Sequence, residues 1–306
     1  MTAAAGLLLY ALTLTWLSPF ALHRLTYGGI SPRLGIAAWL TAVSATVVAW
    51  IAAISLLVIA LVRSGSDSSA VTFCLRALGM PGHARTPGRW GTVALIAVAL
   101  SLTAIVGWRV ARGVHQLRSR SHEHAESARI LGAPSSRPGV VFVDAAQPTA
   151  YCVAGRPHAI VVTTAALGVL SPHELDAVLA HEQAHIDGHH HRILTTLRAL
   201  AASMPNLPLF ANASSAVARL LEMCADDAAV RRCGIDALLS GLANLAGHPT
   251  MANQRLGAAD TAVVVRATRL AAPPQLLVQW RASLLATAVI ALILVVPAVL
   301  QMLCDG

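Results

Sequence analysis

Four long apolar stretches constrain this chain before any motif is read. The hydrocarbon core of a bilayer takes a helix of about 20 apolar residues. Runs from Ala4 to Leu22, Gly35 to Val62, Gly91 to Val110 and Ala282 to Leu303 meet that length. The second is long enough to cross with a tilt. The fourth contains Pro297, a predicted kink that neighbouring helices must compensate. Only 12% of the 306 residues are charged and 56% are hydrophobic, whereas an ordinary soluble domain carries about 25% charged residues. An integral membrane protein in contact with the lipid bilayer is therefore expected. The basic residues are all Arg, no Lys occurs, and the net charge is +8. In so apolar a chain this points to arginines flanking spans and away from direct nucleic-acid binding. Trp39, Trp90, Trp108 and Trp280 sit near span ends, where indole rings suit the interface. No basic segment precedes the first run and no small-residue cleavage pattern follows it, so it reads as a retained span and not as a signal peptide.

The expected architecture is a mainly α membrane protein with four transmembrane helices and an α+β domain inserted between spans three and four. Residues 1–110 form the three-helix transmembrane region, 111–280 the polar domain, and 281–306 the fourth span with a short tail. Arg109, Arg112, Arg118, Arg120, Arg269 and Arg281 lie at the membrane ends of the polar domain, and Arg24 and Arg33 in the short first loop on the same side. The opposite side holds Arg63, Arg76, Arg85 and Arg89 in the 63–89 loop. This balance places the large domain in the cytoplasm of a multi-pass plasma-membrane protein, with both termini outside. Cys152, Cys224 and Cys233 would then be reduced. Cys74 and Cys304 would face an oxidising compartment, where a disulfide between them is permitted.

Within the polar domain, 111–132 reads as a helix leaving span three, followed by a turn-rich stretch from Gly132 to Gly139. Val140–Val143, Ala150–Ala154 and Ala159–Thr163 read as short strands, the last two joined by a hairpin turn at Gly155-Arg156-Pro157-His158. Ser171-Pro172-His173-Glu174 is a strong helix start, with a capping residue, a proline in the first turn and a capping-box glutamate. That helix is predicted to run past His191 towards Ala202, until Met204-Pro-Asn-Leu-Pro208 breaks it. A second helix is expected from about Ser215 to Cys233, stopped by Gly234, with further helices over 235–246 and 258–271.

The capped helix carries His181-Glu182-Gln183-Ala184-His185. Residues four apart lie on one helix face, so the two imidazoles point to one place. A catalytic zinc takes three protein ligands and keeps one position open. Glu182, beside the first histidine, is suited to act as general base. Two candidates compete for the third ligand. Gly188 and His191 complete an extended pattern in which the glycine breaks the helix. Glu222 is the rival, and Asp226, one turn later on the same face, would hold the free ring nitrogen of a metal-bound histidine. Glu222 is preferred, because Ile193, Leu194, Leu197 and Leu200 continue the helical spacing beyond Gly188. His189, His190 and His191 read as a polar helix face, and Asp187 and Asp227 as solvated charges. The strand through Tyr151, Cys152 and Val153 lies just upstream and is a candidate edge on which a substrate strand is added.

Val178-Leu-Ala-His-Glu-Gln-Ala-His185, the downstream Glu222-x-x-x-Asp226, and three apolar runs before and one after resemble the BlaR/MecR-type membrane metalloproteases, the antirepressor, signal-transducing peptidases of β-lactamase induction. The resemblance implies a cytoplasmic gluzincin-type domain with Zn2+ held by His181, His185 and Glu222, and Glu182 as base. It also implies regulated cleavage of the chain itself or of a winged-helix repressor of the BlaI/MecI kind as protein substrate. The best-known members carry a penicillin-binding sensor domain after the last span. This chain ends at Gly306 and has no Lys for a Ser-x-x-Lys site, so its signal is expected from the 63–89 loop, a separate sensor protein or the membrane. The alternatives are an HtpX-type quality-control protease and a non-catalytic membrane scaffold with structural zinc.

Overall fold

A computed structural model describes residues 3–63, 89–155, 157–246, 257–272 and 275–305. Two helices, α1 (Ala3–Thr26) and α2 (Pro32–Arg63), pack against each other as a hairpin. Helix α3 (Arg89–Leu131) is one continuous element, so the predicted helix of 111–132 is simply the extension of the third apolar run. The last helix, α10 (Leu276–Asp305), continues through Pro297 and lies against α1 and α2. There Tyr10 Oη donates to the Ile293 carbonyl at 2.5 Å and Ser31 Oγ meets Ser283 Oγ at 2.9 Å. Among the described residues, these four helices are long and apolar enough to cross a membrane. Leu9, Leu12, Leu17 and Phe20 on α1, and Leu284, Leu285, Leu292 and Leu294 on α10, are exposed, as lipid-facing residues are. Trp108 and Trp280 are exposed too, but Trp39 is fully buried and its Nε1 donates to Thr26 Oγ1 at 3.1 Å. The expectation of an interfacial Trp39 is thus corrected: its indole finds a hydroxyl inside the helical hairpin.

A four-stranded sheet follows α3, in the order β1-β2-β4-β3. It comprises β1 (Ala133–Pro134), β2 (Val140–Val143), β3 (Ala150–Val153) and β4 (Ala159–Thr163). The three strands expected from alternation are present, and β3–β4 is the antiparallel hairpin, with Cys152 opposite Ile160. Strands β2 and β4 are parallel, and the stretch after Gly132 adds the two-residue β1. Strand β3 is an edge. Cys74 and the side chain of Cys304 lie outside the described residues; Cys152, Cys224 and Cys233 are free thiols.

The remaining helices are α4 (Thr164–Val169), α5 (Pro172–Asp187), α6 (His190–Ser203), α7 (Pro208–Cys233), α8 (Ile235–Ala246) and α9 (Gly257–Ala271). The capping box at α5 forms as expected: Ser171 N donates to Glu174 Oε2 at 2.7 Å, and Ser171 Oγ accepts from Glu174 N at 3.4 Å. The uninterrupted helix predicted through His191 does not form. Gly188 ends α5, and His189 takes a left-handed conformation, φ 52° and ψ 32°, before α6 begins. The apolar spacing of Ile193 to Leu200 belongs to a new helix of different direction. Helix α7 starts earlier than expected, because Pro208 supplies its first turn, and ends at Gly234 with φ 85°.

Helix α7 ties the domain to the apolar helices. Leu209, Phe210, Ala213, Val217, Leu220 and Leu221 are buried in one cluster with Leu7, Tyr10, Leu22, Trp39 and Ala42 of α1 and α2. The α1–α2 turn seats against it at Gly29, whose φ is 59° and where any Cβ would collide with Met223. Arg269 Nε donates to the Gly29 carbonyl at 2.9 Å. Replacing Gly29 by Ala should therefore cost roughly 1–3 kcal/mol, from backbone strain together with overpacking. A lowered melting temperature of the detergent-solubilised chain is the expected result; a native value would show that the turn adapts freely.

Candidate metal centre

Two helices build the centre. On α5, the wide apolar face of Ala177, Val178 and Ala180 is buried, and His181 continues it. On α7, Ala225 and Ala229 are fully buried beside Asp226. Alanines on both helices leave room for close approach, which brings Glu222 under the two histidines. One donor atom from each of His181, His185 and Glu222 lies within 4.8 Å of the others. His181 Nε2 is 3.5 Å from Glu222 Oε2, His185 Nε2 is 3.5 Å from Glu222 Oε1, and the two Nε2 atoms are 3.2 Å apart.

The outward nitrogens of both rings are held. His181 Nδ1 lies 3.1 Å from Asp226 Oδ1, a close contact bent away from ideal hydrogen-bond alignment. His185 Nδ1 is 2.8 Å from His190 Nδ1. His190 is buried, brought there by the reversal at His189, which corrects its reading as part of a polar outer face. With both Nδ1 atoms engaged, both Nε2 atoms face Glu222. Two neutral imidazoles and a carboxylate suit zinc, so the residues present fit the metal. His191, the rival third ligand, points elsewhere, with its ring centroid 5.2 Å from that of His158.

Charge around the centre is strongly organised. Asp226 is fully buried, yet Arg266 of α9 donates to it twice, Nε to Oδ2 at 2.8 Å and Nη2 to Oδ1 at 2.6 Å. Burial alone would raise the Asp226 pKa, but Arg266 and His181 outweigh it and hold the carboxyl down to about 2. Arg266 Nη1 also lies 3.3 Å from Glu222 Oε2. Burial would likewise raise Glu222, but His181, His185 and Arg266 keep it below the ordinary range. Burial disfavours charge on His185 and pulls it down to about 4, leaving a neutral ring. The same burial acts on His181, where Asp226 and Glu222 win and raise it. Their pull favours any cation at that place, a proton or a metal.

Glu182 points to the sheet edge. Its Oε2 accepts from the Cys152 backbone N–H of β3 at 2.8 Å. Burial, and then the nearby Glu222, raise its pKa, against the opposing pull of His181 and the Cys152 amide. Burial and Glu182 push the Cys152 thiol up to about 12, so it is not a thiolate nucleophile. Tyr151 reaches His124 of α3, Oη to Nε2 at 3.3 Å, and the Val153 side chain is buried against Ala125 and Val161.

Arg266 was not singled out in the sequence, while His190 was read as part of a polar helix face and Arg269 as an arginine flanking a span. Asp226-Asp227 and two arginines one helical turn apart on 257–271 are complementary in charge, but nothing along the chain says that they meet. Asp227, expected to be solvated, is clamped by Arg269, Nη1 to Oδ1 at 2.8 Å and Nη2 to Oδ2 at 2.9 Å. Asp187 is half exposed and accepts from Gln183 Nε2 at 2.7 Å.

Residues 114–256 match Peptidase family M48, a stretch that contains His181, Glu182, His185, His190, Glu222 and Asp226. The chain is similar to a protease HtpX homolog of Limosilactobacillus fermentum, 29% identical over 119 residues, covering 38% of this chain and 40% of the relative. It is also similar to a protease HtpX homolog of Ralstonia nicotianae, 39% identical over 79 residues, covering 25% of this chain and 27% of the relative. The chain thus spans less than half the length of the curated relatives it matches. No solved structure matches. With the apolar helices, these matches support a membrane metalloprotease of the M48 kind.

Two substitutions test the carboxylate beneath His181. Asp226→Asn should weaken zinc binding about 10- to 100-fold, as loss of a ligand-orienting partner does, read by competition with a chromogenic chelator. Arg266→Ala leaves the Asp226 charge buried without its guanidinium, and should destabilise the fold by about 3 kcal/mol or more. Unchanged melting of the Arg266 variant would show that water replaces the guanidinium without cost.

Proposed function

We propose that this chain is a multi-pass membrane zinc endopeptidase in which His181, His185 and Glu222 hold the metal and Glu182 is the general base. The observation that carries the reading is the convergence of those three donors beside a buried glutamate that touches a sheet edge. Zinc, when bound, supplies a Lewis acid that polarises the scissile carbonyl and acidifies water. Glu182 takes the proton of the attacking water and returns it to the departing amine. Its raised pKa brings it closer to the working pH, which suits both halves of that transfer. Asp226 and His190 fix the orientation of the ligand rings.

Substrate is held as an added strand along β3, at Tyr151, Cys152 and Val153. The Cys152 amide next to Glu182 sets the scissile bond beside the base, and buried Val153 contributes through its backbone. The raised Glu182 and the three-ligand set weigh against the structural-zinc scaffold, since a structural site closes with four protein ligands. All four apolar helices cross the plasma membrane in this reading. The distribution of Arg supports a cytoplasmic protease domain, inserted between spans three and four, with both termini outside.

Two physiological roles follow from different observations. The three-plus-one arrangement of apolar helices supports regulated proteolysis of the chain itself or of a winged-helix repressor, triggered through a separate sensor protein. The HtpX homologs among the relatives support an HtpX-type quality-control role. New protein N-termini should be compared in cells expressing the native chain or Glu182→Gln. The variant should keep its zinc and lose cleavage by about 100-fold or more, the scale of a lost general base. New termini confined to one repressor or to residues 111–280 identify signalling, and termini across many membrane proteins identify quality control. Cleavage undiminished in Glu182→Gln would remove Glu182 as the base.

A further inference from the structure

Beside the metal centre lies a cavity of about 410 Å³ that the proteolytic chemistry does not use. Its walls carry Arg118 and His122 of α3, His158 of the β3–β4 turn, and His191 and Arg192 of α6. No carboxylate lines it among the described residues. Burial, then His158 and Arg192, push His191 down to about 4, so its ring is neutral and the positive charge of the pocket comes from Arg118 and Arg192. A pocket with this lining carries unbalanced positive potential, which an anionic group would satisfy.

The place of the pocket says which anion. Ala154 and Gly155, which follow the end of strand β3 and lead into the β3–β4 turn, form part of its wall. Residues two apart on a strand share an edge and are about 7 Å apart. Ala154 comes two residues after Cys152, whose amide marks the position of Glu182, and so lies within about that distance of it. A peptide added along β3 and extending past Cys152 would reach Ala154 and Gly155 at the wall of this pocket. A lipid phosphate fits less well. Arg118 and His122 lie about 12 to 18 Å along the α3 axis beyond Val110, the end of the apolar run. The headgroup layer adds only about 5–8 Å on each side of the hydrocarbon core.

We infer that this pocket is a specificity site for an acidic residue of the substrate, two or three residues from the scissile bond. The inference rests on the endopeptidase reading and on a substrate strand along β3. Arg118 and Arg192 make ion pairs with the substrate carboxylate, and the three imidazoles supply further donors.

The test uses the full chain in zwitterionic lipid nanodiscs, loaded with zinc, and a peptide library with residues randomised on both sides of the cleaved bond. Cleaved products are read by mass spectrometry against Glu182→Gln as background. Asp and Glu should be enriched at one position two or three residues from the cut. Peptides differing only there should show about a five- to tenfold advantage in kcat/KM for Glu over Gln, the scale of one or two partly exposed ion pairs. Arg118→Glu combined with Arg192→Glu should invert the preference towards Arg and Lys, a gain that a misfolded variant cannot give. Glu182-dependent cleavage with no acidic preference, or a preference that survives the charge reversal, would overturn the inference and leave the endopeptidase reading standing. So would activity that follows anionic lipid added to the nanodiscs and not peptide charge, which would assign the pocket to a headgroup. Cleavage independent of Glu182 would instead strike at the endopeptidase reading itself.

Discussion

A carboxylate with no solvent exposure, Asp226, is the constraint around which this structure is arranged. A buried charge of that kind is tolerated only when paired and hydrogen-bonded. Its partners come from two directions, His181 on α5 and Arg266 on α9. Helix α7 must therefore sit between them. Once Asp226 is fixed, Glu222 one turn earlier is fixed as well, and it falls beneath both histidines. Metal geometry is in this sense a consequence of ion pairing between three helices.

The other face of α7 meets a different demand. It is buried among α1 and α2, so the helix that supplies Glu222 shares a core with the apolar helices. Arg269 strengthens the connection by joining Asp227 of α7 to the Gly29 carbonyl of the α1–α2 turn. Arg266 and Arg269 stand one turn apart on α9, one serving the metal side and the other the turn. Small residues make the arrangement possible: a Cβ at Gly29 would displace the Met223 side chain, and alanines line the α5–α7 contact.

The strands, the capping box, the α7 stop and the His181-His185 pair were legible because each depends on local rules of spacing, capping or turn chemistry. Glu222 and Asp226 were legible as an i, i+4 acidic pair on an otherwise apolar helix. The break at Gly188–His189 was not, because the apolar spacing resumes in α6 and conceals a non-glycine residue in the left-handed region. That one conformation withdraws His191 from the metal and delivers His190 in its neighbourhood. Glu222 is the donor that lies beside both histidines, although the continuous helix argued for it does not exist. Arg266 was missed and Trp39 misplaced for a shared reason: their partners, Asp226 and Thr26, are set by tertiary packing, which a pattern along the chain does not reveal.

The charge balance of the centre makes the case for a divalent ion on grounds separate from ligand identity. With neutral imidazoles, Glu182, Glu222 and Asp226 bring three negative charges into a mostly buried space, and Arg266 returns one positive charge. Two negative charges are left over. The low-dielectric surroundings respond in the only ways open to them, raising His181 and raising Glu182 towards their protonated forms. A doubly charged cation held by His181, His185 and Glu222 would cancel the excess and remove the need for a proton on His181. Glu182, which faces β3 and is not among the three donors, would then keep a carboxylate free for the base role proposed for it.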